Sequence, residues 1–522
     1  MGQIWVIKQV GVILGCILTT LLAIHFVEAS AVSLLHTDGH KWIWPLDDPP
    51  GKQLAIVGWY RNGGFGGAIA TGDVNGDNFE DLIIGARFVP GQTFAGGETY
   101  VLSGPLAFEQ TVTVPERTAL IFQGTGDSQP QLGTYVDAGD LNGDGYDDIV
   151  IGSWTVHTSY VYLGSPSITA TLPLTIVAIP ETMALTVRGT DSGLIICNLN
   201  GDVYDDLFVE TRYQVYGILG RPSLSMTHPV TIDVQTDPVD LVITGFQPEG
   251  WIVPAGENLG CGDVDGDGYD DLVVGAFGES PGGRKTAGSV YVIRGSSQIT
   301  TGYSGTVQIP TQADAIIEGV DGGYGEFGDK LGYSLAVADV NGDGRADLIL
   351  GAPSGDGVQN LMYRIGEVYL WLGRELFGQT VDLSTEAEWM LYGDDWGVGF
   401  GSAIDAGDFD NDGRSEIVFG CTSCGAQHTH PWNSGRGYVI DAEHIQGTHC
   451  ITAVASLEVS SSVDVPHIGA VVGAVDLDAD GYDDVILTTP SNGLVQQQLP
   501  GTVIAISYPL RHWTFLPHIL KH

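Results

Sequence analysis

An acidic nine-residue motif recurs along this chain and limits the folds that it can adopt. Seven copies occur, and each carries side-chain oxygens at positions 1, 3, 5 and 9. An apolar run follows each copy directly, as Ile149–Ile151 follows the second. The copies are spaced by about 67 residues and begin at Asp73, Asp140, Asn198, Asp263, Asp339, Asp408 and Asp476. A long repeat of this kind predicts small structural units that pack on their neighbours.

Each repeat contains short β-type runs separated by turn residues. In the first repeat these runs are Gly66–Ala70 before the acidic motif, and Leu82–Ile84, Thr99–Leu102 and Leu120–Gly124 after it. Four short strands per repeat are typical of a β-propeller blade. We therefore predict an all-β fold, a seven-bladed propeller of four-stranded antiparallel blades at residues 52–508.

The two ends of the repeat array complement each other. Leu54–Gly58 has the pattern of a fourth strand but precedes the first motif. Thr502–Ile506 has the pattern of a third strand, and no fourth follows it. The N-terminal strand is therefore predicted to complete the last blade, which closes the ring and protects its edges.

The motif has the donor set that a hard cation such as Ca²⁺ requires. Oxygen side chains at positions 1, 3, 5 and 9 and the backbone carbonyl at position 7 can surround one ion on a tight loop. The predicted ligands, about one Ca²⁺ per blade, are Asp73, Asn75, Asp77, Phe79, Asp81, Asp140, Asn142, Asp144, Tyr146, Asp148, Asn198, Asn200, Asp202, Tyr204, Asp206, Asp263, Asp265, Asp267, Tyr269, Asp271, Asp339, Asn341, Asp343, Arg345, Asp347, Asp408, Asp410, Asp412, Arg414, Glu416, Asp476, Asp478, Asp480, Tyr482 and Asp484.

Two copies depart from this pattern, and one competing motif is disfavoured. The Asn198 copy lacks a charged first ligand and has Val203 where the other copies favour a turn residue, and Glu416 is longer than Asp. An EF-hand needs Glu at position 12, where this chain has apolar residues such as Ile84 and Ile151. We expect the ions to be structural, because they neutralise a hairpin crowded with carboxylates.

The net charge excludes one class of partner, and the N-terminal residues indicate where the protein is located. The net charge of −44 disfavours nucleic acid, whose phosphates would be repelled. Residues 1–31 resemble a secretory signal peptide, with an uncleaved anchor as the alternative. Residues 32–51 are predicted to be a linker and 509–522 a C-terminal tail, which packs on the last blade or serves in sorting. We expect a secreted or cell-surface monomer with no transmembrane segment in the mature chain.

The cysteines leave more than one interpretation open. Without Cys16, which would leave with the signal peptide, five remain, an odd number for a closed disulfide framework. Cys421, Cys424, His428 and His430 can bind zinc, but a disulfide or free thiols compete. Cys197 and Cys261 are expected to be buried small apolar residues.

The repeats resemble the FG-GAP repeats of the integrin α-subunit N-terminal propeller. Gly64–Ala68 and Gly399–Ala403 look like the FG element, and Gly85–Ala86 and Gly351–Pro353 look like the GAP element. The resemblance covers about nine-tenths of the chain. It implies a seven-bladed propeller with Ca²⁺ in the hairpin loops between strands 1 and 2. Integrin-type signalling is not implied, because the integrin leg, membrane and cytoplasmic segments have no counterpart here.

The expected function is binding rather than catalysis. No GxSxG, HExxH or Walker-type motif occurs. The connections opposite the acidic loops are rich in aromatic residues, namely Trp154, Trp251, Phe277, Tyr324, Phe327, Trp396 and Trp432. Loops on a rigid scaffold commonly carry function. The leading hypothesis is a module for protein binding or adhesion, and the alternatives are a carbohydrate-binding lectin and, last, a hydrolase or lyase with its active site at the central channel.

Overall fold

Each acidic loop connects two strands of one β-sheet, and seven such sheets form a ring. The computed structural model describes residues 42–45, 53–90, 96–108, 110–114, 117–125, 130–169, 175–179, 183–246, 258–300, 305–322, 328–375, 378–394, 399–422, 424, 435–443, 445–460, 467–490 and 500–507. The first strands of successive sheets contact one another around the axis, including the first and the last. This architecture confirms the predicted seven-bladed propeller.

Strands 1 to 4 of each blade are antiparallel neighbours. In blades 1 to 7, strand 1 spans Phe65–Gly72, Leu132–Gly139, Ser192–Cys197, Leu259–Gly262, Leu335–Ala338, Ala403–Gly407 and Val472–Val475. Strand 2 spans Asp81–Ala86, Asp148–Ser153, Asp206–Thr211, Asp271–Ala276, Asp347–Ala352, Glu416–Cys421 and Asp484–Thr489. Strand 3 spans Glu98–Leu102, Thr158–Tyr162, Gln214–Ile218, Ser289–Ile293, Glu367–Trp371, Arg436–Ile440 and Pro500–Ile506. Strand 4 spans Thr118–Gly124, Leu185–Arg188, Leu241–Thr244, Ala315–Glu318, Trp389–Tyr392, Leu457–Ser460 and Gln53–Arg61.

A fifth strand, which the sequence patterns did not predict, lies parallel to strand 4 at the outer edge of every blade. It comes from the chain that leads into strand 4 of the next blade. In blades 1 to 7 it spans Thr175–Ile179, Val230–Asp233, Gly305–Gln308, Gln379–Asp382, Gly447–Cys450, Trp42–Pro45 and Gln110–Thr113. Each sheet is thus completed by its successor. Two single-turn α-helices, Leu383–Glu386 and Ile451–Val454, and two 3₁₀ turns, Pro281–Gly283 and Val358–Asn360, lie in connections.

The N-terminal segment closes the ring in two places. Gln53–Arg61 pairs antiparallel with Pro500–Ile506, which confirms the predicted closure of blade 7. Trp42–Pro45, which lies within the predicted linker, pairs in parallel with Leu457–Ser460 of blade 6. The last two blades therefore both depend on residues from the start of the chain.

The hydrophobic core is divided into layers between neighbouring blades. Strand 2 is buried at every position in all seven blades, because its two faces pack against two different neighbours. Ile83 and Val101 of blade 1, for example, share one cluster with Ile149 and Ile151 of blade 2. Burial on both faces explains why these strands are continuous apolar runs rather than alternating ones.

Glycines of the FG and GAP elements allow the blades to approach closely. A β-carbon on Gly85 would lie 2.1 Å from the carbonyl oxygen of Gly133 in the next blade. A β-carbon on Gly351 would lie 2.2 Å from the carbonyl oxygen of Gly401. Because any larger residue would collide with backbone, these glycines fix the spacing between blades at this end of the ring.

The structure corrects one interpretation of the cysteines. Cys197 and Cys261 form a disulfide with a Cα–Cα distance of 5.8 Å, instead of being separate buried thiols. Cys197 ends strand 1 of blade 3 and Cys261 lies in strand 1 of blade 4, so this disulfide links two neighbouring blades. Cys421 and Cys424 form a second disulfide, the alternative to zinc, whereas His428 and His430 lie outside the described residues. Among the residues that the structure describes, the remaining cysteine is Cys450, which is buried.

The predicted signal peptide and C-terminal tail lie outside the described residues. Within the part of the chain that the structure describes, no helix has the length and apolar character needed to cross a membrane.

Two truncations test the double closure. A chain that starts at residue 47 loses only the outer strand of blade 6, so it should remain monomeric with a lowered melting temperature. A chain that starts at residue 62 also loses strand 4 of blade 7, which exposes an unpaired strand and should aggregate. Size-exclusion chromatography and thermal melting distinguish them, and a monomeric, cooperatively melting second truncation would contradict the closure.

Candidate functional site

The seven acidic loops lie at one end of the ring, between strands 1 and 2 of each blade. We call this end the acidic-loop face and the other end the connection face. In the second loop, Asp140 accepts backbone N–H bonds from Gly143 at 2.7 Å, Asp144 at 3.1 Å and Gly145 at 2.8 Å. In six loops the first-position carboxylate accepts the N–H of position 6. The loop thus winds around its own first residue.

The ninth-position residue is the most buried of the predicted ligands in each loop. Asp148 is 0% exposed and accepts an N–H bond from Gly164, after strand 3, at 3.0 Å. Burial, with a smaller contribution from the carboxylates of Asp144 and Asp140, raises its pKa to about 8, although the Gly164 N–H lowers it. Burial likewise raises the pKa of every other ninth-position carboxylate, from about 6 for Asp347 to about 9 for Asp484.

Several loops bring their predicted ligands close together, and two loops contain a buried carboxylate oxygen that accepts no hydrogen bond from the described residues. The carboxylates of positions 1, 3 and 9 have oxygens within 4.8 Å of one another in three loops, those of Asp263, Asp408 and Asp476. Asp148 Oδ2 and Asp484 Oδ1 are buried with no hydrogen-bond partner among the described residues. Buried oxygens without donors, beside other carboxylates, fit a divalent cation.

In three of the four loops with asparagine at position 3, the amide nitrogen of that residue contacts a carboxylate. Asn75 donates to Asp81 at 2.9 Å and Asn341 to Asp347 at 3.5 Å. Asn200 instead donates to Asp202, the fifth-position residue, at 3.0 Å. The amide oxygen is the atom that would ligate a cation, and it is reached by turning the amide plane.

The third loop differs from the others, as its sequence suggests. The amide of Asn198 donates to the carbonyl of Asp202 at 2.8 Å, so its nitrogen takes the place of an acceptor. Val203 is 76% exposed at the loop tip. Asp206 keeps the buried ninth position and accepts from Leu199 at 3.2 Å and Gly220 at 3.0 Å. The hairpin therefore forms without the turn around a first carboxylate.

The fourth loop contains a cation of its own, which its sequence did not reveal. Arg294, after strand 3, contacts Asp265 and lies 3.5 Å from Asp267. Leu163, Leu219 and Leu372 occupy the corresponding place in blades 2, 3 and 5, just before the glycine that donates to the ninth position. Two predicted ligands of this loop are therefore already paired with a guanidinium.

Position 8 has a role that spacing alone did not show. Asp147 accepts the backbone N–H of Asp73 in the preceding loop at 2.8 Å, and the N–H of Asp147 donates back to the carbonyl of Asp73 at 3.1 Å. Asp205 and Asp483 make the same pair of bonds with Asp140 and Asp408. These carboxylates join neighbouring loops, and the recurring Asp–Asp pair at positions 8 and 9 was the available signal.

The side chain at position 7 covers the preceding loop, while its carbonyl was the predicted ligand. A β-carbon on Gly76, which has φ +75°, would lie 2.3 Å from the ring of Tyr146. Tyr204 covers Gly143 in the same way, and Arg345 covers Gly266. In these three loops position 4 is thus limited to glycine by its backbone angle and by this contact, whereas Asn411 and Ala479 adopt a positive φ at the same position of the sixth and seventh loops.

The connection face carries exposed aromatic side chains. Trp59, Trp154 and Tyr213 are 61%, 44% and 43% exposed. Of the aromatic residues predicted for ligand contact, Trp154 is exposed, whereas Phe277 is buried and packs on Tyr333 with ring centroids 5.2 Å apart. The others, Trp251, Tyr324, Phe327, Trp396 and Trp432, lie outside the described residues.

Fold and loops together define a propeller whose blades each carry an acidic hairpin. Residues 65–102, 133–163, 255–293 and 331–371 match the FG-GAP repeat family, and the chain therefore carries FG-GAP repeats. These segments contain the loops of blades 1, 2, 4 and 5.

Relatives match part of the chain. Phosphatidylinositol-glycan-specific phospholipase D of Rattus norvegicus is 36% identical over 169 residues, 32% of this chain and 18% of that protein. Integrin alpha-5 of Xenopus laevis is 33% identical over 156 residues, 28% of this chain and 14% of that protein. The matches thus span less than a fifth of either relative. A solved chain from the complex of BBS1N with ARL6DN aligns with 87% of this chain and 95% of its own length, at 10% identity and a TM-score of 0.40.

Two half-buried carboxylates near the axis join neighbouring first strands and give a pH prediction. Asp137 accepts the N–H of Ile196 in the next blade at 2.7 Å, and Asp405 accepts that of Ala474 at 3.1 Å. Burial raises the pKa of each to about 7 from an ordinary 3.8, although the N–H bonds lower it. Below about pH 4, both the folded and the unfolded state hold the proton on each of these two carboxyl groups, whereas between about pH 4 and pH 7 only the folded state does. Stability should therefore fall as pH rises from about 4 to about 7.

We expect Asp137→Asn to reduce this pH dependence, because the amide oxygen keeps an acceptor for Ile196 and carries no charge. The effect on the free energy of unfolding should be on the order of a few kcal/mol between pH 5 and pH 8. Melting temperatures of wild type and variant at both pH values measure it, with Asp405→Asn as the matched second variant. Identical pH profiles for all three proteins would contradict the assignment.

Proposed function

We propose that this chain is an exported, Ca²⁺-stabilised propeller that acts as a binding module through its connection face. The observation that carries the proposal is the division of the ring: carboxylates are concentrated at one end and exposed aromatic side chains at the other. A scaffold held rigid at one end can present short connections at the other with little loss of entropy on binding.

The Ca²⁺ part rests on the acidic loops. Buried ninth-position oxygens without donors in the second and seventh loops, and converging carboxylates in the fourth, sixth and seventh loops, favour a hard divalent cation. When bound, the ion supplies positive charge that offsets carboxylate repulsion. The chain's own residues hold it through positions 1, 3, 5 and 9. The third loop, whose Asn198 nitrogen faces the hairpin, is the weakest candidate.

Removal of Ca²⁺ tests this part directly. We expect chelation with EDTA to lower the melting temperature, because the buried carboxylates then repel one another, and added Ca²⁺ to restore it. Asp148→Asn should remove about one bound ion in native mass spectrometry, while Asp206→Asn in the third loop should change the count less. An unchanged melting temperature after chelation would overturn the structural role of Ca²⁺.

Arg294 allows a matched test in the fourth loop. Replacing it with leucine, the residue at this place in blades 2, 3 and 5, frees Asp265 and Asp267 from the guanidinium. We expect Arg294→Leu to raise Ca²⁺ affinity in titration calorimetry, because a competing charge is removed at constant fold. Leu372→Ala in blade 5 is the control for the loss of packing. Equal affinity in wild type and Arg294→Leu would mean that the ion binds without these two oxygens.

The binding part is supported by similarity as well as by surface chemistry. A relative named as an integrin α-subunit matches the chain, which favours a protein ligand and a place outside the cell, in keeping with the signal-like N-terminus. The match to phosphatidylinositol-glycan-specific phospholipase D covers 18% of that protein, so its activity is not extended to this chain. We propose a binding role without catalysis.

Capture from cell-surface extracts tests the binding face. The immobilised chain, in Ca²⁺ buffer, should retain specific surface components of the organism that makes it. A variant with Trp59, Trp154 and Tyr213 replaced by alanine should retain them more weakly. Val203→Ala on the acidic-loop face is the matched control, since Val203 is an exposed apolar residue at the other end. Equal retention by the triple variant would place the binding surface elsewhere.

A further inference from the structure

A pocket opens on the connection face between blades 2 and 3. Its volume is about 670 Å³, within the range of sites that bind small ligands. It forms where the connections between strands 2 and 3 are short, residues 154–157 in blade 2 and 212–213 in blade 3. The corresponding connections in blades 4 and 5 span 277–288 and 353–366. The pocket is therefore a consequence of unequal connection lengths on one rigid ring.

Two exposed aromatic side chains from neighbouring blades line this pocket. Trp154 comes from blade 2 and Tyr213 from blade 3, and both are more than two-fifths exposed, at 44% and 43%. Large aromatic surface left in contact with water at a pocket mouth is available for a ligand with an apolar face.

The floor and walls offer oriented polar groups. Tyr216 is 6% exposed and donates its hydroxyl hydrogen bond to the side-chain oxygen of Gln214. The amide nitrogen of Gln214 donates to Thr244 Oγ1 at 3.2 Å. This chain of bonds fixes the amide of Gln214, so that a donor and an acceptor have defined directions beside the pocket.

Asp191 ties the two walls together. Its carboxylate lies 2.6 Å from His157 Nδ1 in blade 2 and accepts the backbone N–H of Arg212 in blade 3 at 3.4 Å. Among the described residues that line the pocket, Asp191 is the single carboxylate, and it lies beside an imidazole and an arginine, in a chain with a net charge of −44. Its balance of charge differs from the strongly acidic opposite end, which disfavours a cationic ligand.

We propose that this pocket binds a neutral saccharide. Sugars combine an apolar C–H face, which stacks on Trp154 or Tyr213, with hydroxyls that both donate and accept hydrogen bonds. The amides of Gln214 and Gln235 can donate and accept in return, and the carboxylate of Asp191 can accept. The inference rests on the proposed binding role of the connection face and names the ligand class and its place.

Direct binding to sugars tests the inference. The full chain, in Ca²⁺ buffer, is applied to an array of immobilised neutral oligosaccharides, and a bound sugar is measured by titration calorimetry. Trp154→Ala should weaken that affinity by about tenfold or more, the loss expected for one stacked ring. Tyr363→Ala is the matched control and should leave the affinity unchanged, because Tyr363 is an exposed aromatic residue of the 353–366 connection in blade 5 and does not line the pocket.

In the binding measurements, either of two results would overturn the inference: no oligosaccharide binds, or Trp154→Ala binds as the wild type does. Enzymatic removal of glycans from the cell-surface extract separates this inference from the proposed function. Loss of capture after deglycosylation supports a saccharide ligand. Capture that is unchanged by deglycosylation leaves the binding module in place and rejects the saccharide, and absence of capture before treatment rejects the binding module itself.

Discussion

The carboxylate at the ninth position of the acidic loop is the group on which each blade most depends. It is 0% exposed in six of the seven loops. In blade 4, Asp271 accepts N–H bonds from Val264 at the start of the loop and from Gly295 after strand 3, so one side chain fastens three strands. A buried charge is costly unless it is bonded and paired. Its raised pKa measures that cost, and the neighbouring oxygens at positions 1, 3 and 5 are arranged where a cation would relieve it.

Neighbouring blades make different kinds of contact at the acidic-loop face, near the axis and at the connection face. At the acidic-loop face, Asp147 and its counterparts exchange backbone bonds with the preceding loop. Near the axis, Asp137 and Asp405 reach across to the next first strand. At the connection face, paired glycines such as Gly85 and Gly133 bring backbones together. Polar bonds therefore specify the register at one end, and steric fit specifies it at the other.

The sequence predicted those features that repeat and left out those that occur once or lack an apolar pattern. The strands next to the acidic loops are long apolar runs, so blade number, loop position and ring closure were visible. The fifth strands are short and partly exposed, as in Val230–Asp233, and carry no periodic signal. Arg294 is far from the fourth loop in sequence and reaches it only because strand 3 runs back alongside strand 2, so spacing in the sequence did not indicate the contact.

The disulfide shows how a signal can be present and still be misread. Cys197 and Cys261 are 64 residues apart, which is close to one repeat, so equivalent positions of neighbouring blades were to be expected side by side. The odd number of cysteines in the mature chain argued against a closed disulfide framework and so disfavoured this pairing. The candidate ligands could be predicted from their spacing in the sequence. The pocket between blades 2 and 3 could not, because it forms only when two short connections lie side by side in the assembled ring.

The use of N-terminal strands to finish the last two blades sets an order of events during synthesis. Gln53–Arg61 emerges from the ribosome before the blades that follow it, yet its antiparallel partner Pro500–Ile506 is made only after the other six blades. Until then its other paired neighbour is the short parallel segment Gln110–Thr113. A ring that folds as its chain emerges therefore keeps one edge of this strand open until the seventh blade has been made. The topology itself delays the burial of that edge.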